Sequence, residues 1–235
     1  MSPAMRDMCH YPRYLLRHVE PVLGKRVLEI GVGHGQYTRE LRRQGRTVLA
    51  TDVDAACVAQ IAEHFAHDTQ VLAASIDLRE QASIASHRSF LADSVLCLNV
   101  LEHIEDDMSA LGWLRETVAA SASLALIVPA HQRLYGRMDR EAGHYRRYTR
   151  GSLGNLMENA GWHVERMRYV NLAGAAGWWY HNRVRTDAGL TDTAVNSQMR
   201  AADRWLPKLA VITDPLFGGL LGLSVVAWGR KRGSA

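Results

Sequence analysis

Residues 27–35, VLEIGVGHG, constrain the fold of this chain more than any other stretch. An apolar run containing Glu29 leads into three glycines at alternate positions, Gly31, Gly33 and Gly35, and a helix-forming stretch follows. Glycine lets the backbone turn sharply and lets a ligand approach it, and a helix beginning there offers free N–H groups to an anion. A strand, a glycine-rich turn and a helix in this order are typical of a nucleotide-binding site, although a tight structural turn before a capped helix would show the same glycines.

Strand and helix patterns alternate from this turn onward. Apolar segments typical of strands span residues 26–31, 47–52, 69–75, 93–100 and 124–129, and helices are predicted over 11–23, 36–45, 54–66, 78–87 and 106–121. The first and fifth strands are apolar nearly throughout, as strands covered on both faces are. Asp54 is placed to cap the helix after the second strand. We therefore predict an α/β fold, a doubly wound, mostly parallel sheet with helices on both faces.

The regular alternation ends after Pro129. Residues 130–150 have no clear apolar period and are rich in His, Tyr and Arg. A helix is then predicted over 151–161 and a strand over 162–172, whereas residues 173–209 show no strand pattern and residues 223–231 are typical of a last strand. A long irregular segment in a compact domain is usually a lid, a binding loop or a disordered segment.

Composition narrows the classes of protein this chain can belong to. Of its 235 residues, 47% are hydrophobic and 22% are charged, which is typical of a globular domain. The balance of 28 Lys and Arg against 24 Asp and Glu does not predict a nucleic-acid partner. The three cysteines, Cys9, Cys57 and Cys97, favour a reducing compartment, the cytoplasm, over a disulfide framework or a zinc site. We find no signal-peptide pattern and no apolar run of the roughly 20 residues that cross a bilayer.

Two further acidic residues distinguish between nucleotide ligands. A dinucleotide site needs the spacing G-x-G-x-x-G, in which the third glycine packs the helix against the strand, but Tyr37 and Thr38 occupy that region here. Glu29 inside the strand suits S-adenosylmethionine, which carries a cationic amino group and a sulfonium, better than a pyrophosphate. Asp52 ends the second strand about 20 residues beyond the turn, where a carboxylate can accept hydrogen bonds from ribose hydroxyls.

With these motifs the chain resembles the class I S-adenosylmethionine-dependent methyltransferases, in particular the large group with a ubiquinone-methyltransferase-like core (types 11 and 12). The similar segments follow in the family's order: residues 27–35, 49–54, 73–78, 94–107, 124–129 and 153–170. The resemblance implies a Rossmann-like fold with seven strands, the last of them antiparallel. Residues 172–222 of this chain would form a C-terminal helical insertion before that strand. The fourth motif reads NVLEHI and lacks the NPPY-type turn of enzymes that methylate nucleobase amino groups or glutamine.

The resemblance also implies S-adenosylmethionine as the cofactor and a set of residues that would contact it. Within this set Asp52 would bind the ribose, Asp77 would meet the adenine amino group, and the segment 94–107 would lie under the methionine part. The predicted cofactor residues are Glu29, Gly31, Gly33, Gly35, Tyr37, Asp52, Val53, Ile76, Asp77, Leu78, Asn99 and Val100. His34, between the last two glycines, either covers the carboxylate end of the cofactor or faces solvent.

Candidate acceptor residues lie in three segments, and each of them has a purely structural interpretation as well. The candidate general bases are His103 after the fourth strand and His131 and His144 in residues 130–150, because an imidazole titrates near neutrality. The same loop supplies four predicted acceptor-binding residues, and its arginines would hold a carboxylate or phosphate through paired donors. The predicted acceptor-binding residues are Tyr135, Tyr145, Arg146, Arg147, Trp178 and Trp179.

We expect an enzyme that methylates a small molecule, on an oxygen of a secondary metabolite or of a cell-envelope glycan or glycolipid precursor. The alternatives are an RNA methyltransferase and a non-catalytic scaffold that binds the cofactor. No metal-ligand set has convincing spacing, so no metal is predicted. The expected partner is an anionic or amphiphilic small molecule and not a nucleic acid, with peripheral membrane contact as one role for the tryptophans of residues 172–222 and a monomer or homodimer as the assembly.

The predicted organisation is a single methyltransferase domain over residues 1–235. Its parts are an N-terminal helix (1–24), a cofactor-binding core (25–171), an insertion that forms a lid or acceptor site (172–222), and the last strand with a tail (223–235).

Overall fold

The structure, a computed structural model, describes residues 7–183, 193–217 and 219–232. The start of the predicted N-terminal segment (1–6), parts of the insertion (184–192 and 218) and the end of the tail (233–235) lie outside the described residues. Seven strands form one sheet: β1 Arg26–Ile30, β2 Thr47–Asp52, β3 Val71–Ser75, β4 Ser94–Leu98, β5 Ser123–Pro129, β6 Trp162–Val170 and β7 Ser224–Lys231.

The order of the strands across the sheet is β3-β2-β1-β4-β5-β7-β6. Strands β1 to β5 are parallel, and β7 pairs antiparallel with both β5 and β6. The doubly wound, mostly parallel seven-stranded sheet and its antiparallel last strand are thereby confirmed. Because β1, β2, β4 and β5 run in the same direction, the segments that follow them all emerge at one edge of the sheet.

Ten helices are present within the described ranges: α1 His10–Arg17, α2 Gln36–Arg43, α3 Ala55–His64, α4 Gln81–Ala85, α5 Asp107–Thr117, α6 Arg137–Glu141, α7 Arg150–Asn159, α8 Leu172–Arg183, α9 Thr193–Asp203 and α10 Leu206–Phe217. The Asp54 side chain accepts a hydrogen bond from the Ala56 N–H at 2.9 Å, so the predicted cap of α3 is confirmed. Helix α1 ends earlier than predicted, and a 3-10 turn with Pro21 follows over Glu20–Val22, because proline cannot continue a helix. In these ranges no helix combines the length and hydropathy needed to cross a membrane.

Apolar side chains cover both faces of the sheet. Leu28 and Ile30 of β1 point into one hydrophobic cluster, whereas Val27 points into the other. All of β5 is buried. The nearly continuous apolar character of these strands therefore reflects two packed faces, as the sequence predicts, and each fully buried aliphatic side chain contributes about 1.5–3 kcal/mol.

Two aspartates fasten the C-terminal helices to the rest of the fold. The Asp203 carboxylate accepts hydrogen bonds from the N–H groups of Cys9, His10 and Tyr11 at 3.1, 3.1 and 2.8 Å, and so caps α1. The Asp214 carboxylate accepts from the Asn171 N–H at 2.9 Å and from the Tyr14 hydroxyl. Because these helices lie between the end of β6 and the start of β7, they occupy the same edge of the sheet as the segments after β1, β4 and β5.

Candidate active site

The edge at the carboxyl ends of the strands carries four turns of unusual backbone conformation. Gly31 after β1, Asn99 after β4, His131 after β5 and Asn171 after β6 have φ values of +77°, +54°, +59° and +63°. Left-handed backbone is costly for a residue with a side chain and is concentrated at functional sites. The side chains around these four turns are therefore the candidates for a functional site.

The glycine-rich turn needs glycine for its own geometry. Gly31, Gly33 and Gly35 all have left-handed backbone, with φ of +77°, +50° and +70°. A Cβ on Gly31 would overlap the Val100 side chain, and one on Gly35 would overlap Ile61. The close approach that excludes side chains is therefore made by the protein itself at two of the three positions. The contact with Val100 joins the turn to the segment after β4.

Asp52 is held in place by the glycine turn and by the start of the segment that leads into α3. Its Oδ2 atom accepts from the Gly33 N–H at 2.9 Å, and its Oδ1 atom accepts from the Asp54 N–H at 3.0 Å. The next side chain, Val53, is 58% exposed beside it. An anchored carboxylate next to an exposed apolar side chain fits a ribose with an adenine ring stacked beside it.

Glu29 is buried at the end of β1, with 1% of its surface exposed. Its Oε2 atom accepts from the Thr38 hydroxyl at 2.7 Å, whereas Oε1 has no hydrogen-bond partner among the described residues. Burial raises the pKa of this carboxyl to about 8, and the bond from Thr38 offsets only part of the effect. A buried carboxyl with a free acceptor is suited to an ammonium group, which would stabilise its ionised form.

The remaining predicted cofactor residues differ in what they offer a ligand. The side chains of Ile76 and Leu78 are 3% exposed and belong to the core, so only their main-chain groups remain for contact. Both oxygens of Asp77 accept from the exposed Arg79 guanidinium, the shorter pair at 2.6 Å. The Asn99 N–H donates to the Ile127 carbonyl at 2.8 Å, which fixes its turn. Tyr37, on α2, is half-buried.

Glu102 is a second buried glutamate, at the other end of the candidate site. It lies in the 3-10 turn Leu101–His103 after β4, is 1% exposed, and its Oε2 atom has no hydrogen-bond partner within the described part of the chain. Burial raises the pKa of the carboxyl to about 8, although the positive charge of Arg147 opposes this. At neutral pH Glu102 is therefore largely a neutral acid.

His144 lies between Glu102 and a third acid, Asp139. Its Nδ1 atom is 3.0 Å from Asp139 Oδ1, and its Nε2 atom is 3.9 Å from Glu102 Oε1. Burial acts to raise the pKa of the Asp139 carboxyl, but the bond to His144 and the charge of Arg147 outweigh it and leave the pKa below its usual value. An ionised carboxylate only accepts hydrogen bonds, so His144 Nδ1 carries the proton and Nε2 presents its lone pair in the neutral ring.

The other two predicted histidines are placed differently. The His103 ring lies edge-on to His144, with the ring centroids 4.7 Å apart, and burial together with His144 lowers its pKa to about 4. The His131 ring stacks on Tyr169 at 4.4 Å, and burial followed by the charge of Arg147 lowers its pKa. Of the three histidines, only His144 has a carboxylate that orients it.

The structure does not support the predicted clamp of two arginines on an anionic acceptor. The Arg147 side chain is 1% exposed, and it donates to Asp139 at 2.8 Å and to the Ala130 carbonyl at 3.1 Å. Arg146 contacts Asp107 at 2.9 Å and the Glu105 carbonyl at 2.7 Å. Composition alone could not reveal that both guanidinium groups already have partners in the protein.

The aromatic candidates divide into interior and surface residues. The Tyr135 hydroxyl donates to the His144 carbonyl at 2.7 Å, so it supports the loop that carries His144. The Trp178 ring lies 4.7 Å from the Arg147 guanidinium carbon and packs on Met138, which joins the insertion to this loop. Tyr145 and Trp179 are 53% and 51% exposed.

Glu102 and Asp139 were not among the predicted site residues, although both flank His144 in space. The only sequence signal for Asp139 is its position five residues before His144, on a segment without an apolar period. Ligand atoms of Glu102, His103 and His144 all lie within 4.8 Å of one another, so this trio has a donor set that a divalent cation accepts. Cys9, His10 and Asp203 are similarly close, but there the carboxylate already caps α1.

Comparisons with known proteins give matches to a family and to relatives in part of the chain. A family model described as a methyltransferase domain matches residues 5–166. A ubiquinone biosynthesis O-methyltransferase from Pectobacterium atrosepticum is 31% identical over 98 residues, which cover 42% of this chain and 40% of that protein. The chain thus spans about two fifths of the length of the curated relatives it matches.

Solved structures share the fold at low sequence identity. A S-adenosylmethionine-dependent methyltransferase from Mesorhizobium loti superimposes with a TM-score of 0.59 at 14% identity, over 95% of this chain and 98% of that one. The cyclase SpnF superimposes with a TM-score of 0.60 at 14% identity, over 95% of this chain and 81% of that one. At this identity the likeness concerns the fold alone, and the reaction has to be argued from the side chains.

Proposed function

Because the chain belongs to the methyltransferase domain family, whose class I members use S-adenosylmethionine, we propose that it methylates an oxygen of a small-molecule acceptor. The observation that carries this proposal is the buried Asp139–His144 pair beside Glu102, at the same edge of the sheet as the glycine turn. The acceptor we propose is a hydroxyl of a secondary metabolite or of a cell-envelope glycan or glycolipid precursor. The named activity of the curated relatives, O-methylation, supports oxygen as the accepting atom.

The residues at the ends of β1 and β2 fit the proposed cofactor. Glu29 offers an unpartnered buried carboxylate oxygen, among the described residues, to the amino group, and Asp52 offers an anchored carboxylate to the ribose. Val53 offers an apolar surface to the adenine. When bound there, S-adenosylmethionine supplies a methyl group on a cationic sulfur, which an oxygen nucleophile displaces in line.

The chain supplies a base for the proton that the acceptor hydroxyl loses. His144 Nε2 takes this proton, and the ring becomes an imidazolium whose Nδ1–H remains bonded to Asp139. The ionised Asp139 stabilises that positive charge and fixes the tautomer, as the orienting acid does in other catalytic pairs. Arg147 holds Asp139 in its ionised form and is therefore a positioning residue.

The surroundings of His144 shield the base from solvent until an acceptor enters. Its side chain is 12% exposed, and Glu102, at 3.9 Å from Nε2, is protonated near neutral pH. A neutral Glu102 neither pairs with His144 nor repels an anionic oxygen that forms beside it. The packing of Trp178 over Arg147 places the insertion against this loop, where it excludes water.

The experiment that tests the proposal measures S-adenosylhomocysteine formed from S-adenosylmethionine with a panel of hydroxylated acceptors. Matched amines and a single-stranded RNA are offered in parallel. We expect turnover with hydroxyl acceptors, and the same rate after exhaustive dialysis against EDTA. Turnover only with amines or RNA would contradict the proposal, and loss of activity that Mg²⁺ or Zn²⁺ restores would reassign Glu102, His103 and His144 as metal ligands.

A further inference from the structure

The outer face of α10 carries a stripe of exposed apolar side chains. Trp205 just before the helix, Leu209, Ile212 and Leu216 are spaced by four, three and four residues, so they share one face. They are 54%, 41%, 66% and 72% exposed. In the segment after the helix, Leu220 and Leu221 are also exposed, at 74% and 53%.

The opposite face of α10 is firmly packed, so the orientation of the stripe is fixed. Ala210 and Asp214 lie half a helical turn away from the stripe and are 0% and 5% exposed. Asp214 is bonded to the Asn171 N–H and the Tyr14 hydroxyl, and the helix packs on α8, β6 and α1. One side of α10 therefore packs on the protein, and the stripe lies on the side that no described residue covers.

The exposed charges that the stripe's own segment of the chain contributes are all positive. Asp203 and Asp214 are the only acidic residues between positions 193 and 232, and both are 5% exposed and turned toward the protein. Arg204 and Lys208 are exposed, and Lys208 is three residues after Trp205 and four before Ile212, at the margin of the stripe. Arg200 on α9 is paired with Asp7 at 3.2 Å. The outer face thus presents apolar groups flanked by cations.

The apolar stripe and its flanking cations together indicate the kind of partner that binds this face. An apolar stripe with cations at its margin matches the boundary between acyl chains and negatively charged headgroups, which binds helices that lie in the plane of a membrane. A second copy of the chain fits less well, because a two-fold contact pairs this face with the same face, and the two acidic residues of the segment are buried and cannot pair with Arg204 and Lys208.

We propose that Trp205, Leu209, Ile212 and Leu216, together with Leu220 and Leu221, dock this protein on a lipid bilayer with anionic headgroups. The side chains enter the acyl boundary, and Arg204 and Lys208 contact the headgroups. Because α10 packs on α8, whose Trp178 contacts the His144 loop, the docking face and the candidate active site share one part of the molecule. The inference does not depend on the proposed methyl transfer, and its test uses no catalytic readout.

The test is co-sedimentation of the full chain with phosphatidylcholine vesicles, with and without phosphatidylglycerol. We expect binding to the anionic vesicles that weakens with salt, and a loss of at least about tenfold in the variant Leu209→Gln/Ile212→Gln/Leu216→Gln. The matched control is Leu72→Gln on β3, a leucine that is 51% exposed outside this face, and it should bind as the unmodified protein does. The variant Arg204→Gln/Lys208→Gln should lose only the part of the binding that phosphatidylglycerol adds.

Three results would overturn the proposal. The first is no binding of the unmodified protein to either vesicle, and the second is undiminished binding of the triple variant. The third is a dimer in sedimentation velocity that the triple variant abolishes without any vesicle binding, which would make a second copy the occupant. Thermal unfolding checks each variant, and if the triple variant does not fold, the double variant with exposed Arg204 and Lys208 changed decides the question through its salt dependence.

Discussion

The two ends of the candidate site are each built around a buried glutamate, and they differ in what surrounds it. Glu29, at the end of β1, has one partner, the Thr38 hydroxyl, and lies beside the glycine turn. Glu102, after β4, lies beside His144 and within the field of Arg147. Burial raises the pKa of both carboxyls to about 8, and each leaves one oxygen unpartnered among the described residues.

Two similar carboxyls therefore acquire different roles from their neighbours. At the Glu29 end the geometry comes mainly from the backbone. The glycines have left-handed conformations, and main-chain N–H groups donate hydrogen bonds to Asp52. At the Glu102 end the side chains form a network whose members come from the loops after β4 and β5. The first end is suited to a fixed, charged ligand, and the second is suited to moving a proton.

The largest effect we expect tests the Glu102 end. His144→Gln should lower kcat by about 10²–10⁴, because the proton acceptor is lost, while the affinity for S-adenosylmethionine stays unchanged. His163→Gln, an exposed histidine on β6, is the matched control and should behave as the unmodified enzyme does. Steady-state kinetics and calorimetric titration separate the two quantities. An equal loss of cofactor affinity would show that the two ends are not independent.

Arg147→Gln tests whether the network of the same end is internal. Removing the guanidinium leaves the buried Asp139 carboxylate without its cation, so the free energy of unfolding should fall by about 3–5 kcal/mol. Arg146→Gln is the matched variant at the neighbouring position, where the side chain is 33% exposed, and should cost only about 0–1 kcal/mol. Urea unfolding followed by circular dichroism measures both.

The result that would reinstate an acceptor clamp is a stable Arg147→Gln protein with a raised KM for an anionic acceptor. In that case Arg147 would bind substrate, and Asp139 would have to be held by other groups.

Asp52→Ala tests the Glu29 end. It removes one predicted ligand contact and frees the Gly33 N–H, so the affinity for S-adenosylmethionine should fall by about 1–3 kcal/mol. Asp54→Ala is the control, since that carboxylate caps α3, and its loss should lower stability by about 1 kcal/mol without changing cofactor binding. Calorimetry in which both variants bind equally well would remove Asp52 from the site.

The smallest effect distinguishes the two glutamates directly. In the free protein Glu29 is protonated below about pH 8, and a bound ammonium favours its ionised form, so binding releases a proton. The affinity for S-adenosylmethionine should therefore rise with pH between 6 and 7.5, by no more than about tenfold per unit. The rise should disappear in Glu29→Gln and persist in Glu102→Gln. Its persistence in Glu29→Gln would assign the proton to another group.

The same contrast explains how much the sequence could predict. At the Glu29 end the predicted ligand contacts lie within one strand–turn–helix unit and the end of the next strand, so Glu29, Gly31, Gly33 and Asp52 could be proposed from their spacing. The mostly parallel sheet was also predictable from the alternation of elements, and its antiparallel last strand from the resemblance in motif order. At that end, the geometry is set by residues that are close together in the sequence.

At the Glu102 end the decisive facts are partners distant in sequence. The order of residues does not predict that Arg147 forms an ion pair with Asp139. Nor does it predict that Glu102 lies 3.9 Å from His144, which is 42 positions away. The sequence of a histidine followed by a tyrosine and two arginines is the same whether the arginines face solvent or bind an internal acid. Burial, which sets the pKa of Glu102 and His103, is likewise a property of the packed fold.

The position of β7 has a consequence for the synthesis of the protein. This strand is translated after β6 and the whole segment that follows β6, yet it pairs between β5 and β6. While residues 171–223 are being translated, for a few seconds at typical speeds, β5 and β6 each lack a neighbour and expose unpaired main-chain groups. The unpaired strand edges of such a nascent chain are sites where strands of other proteins can pair. The sheet is completed when residues 224–231 leave the exit tunnel.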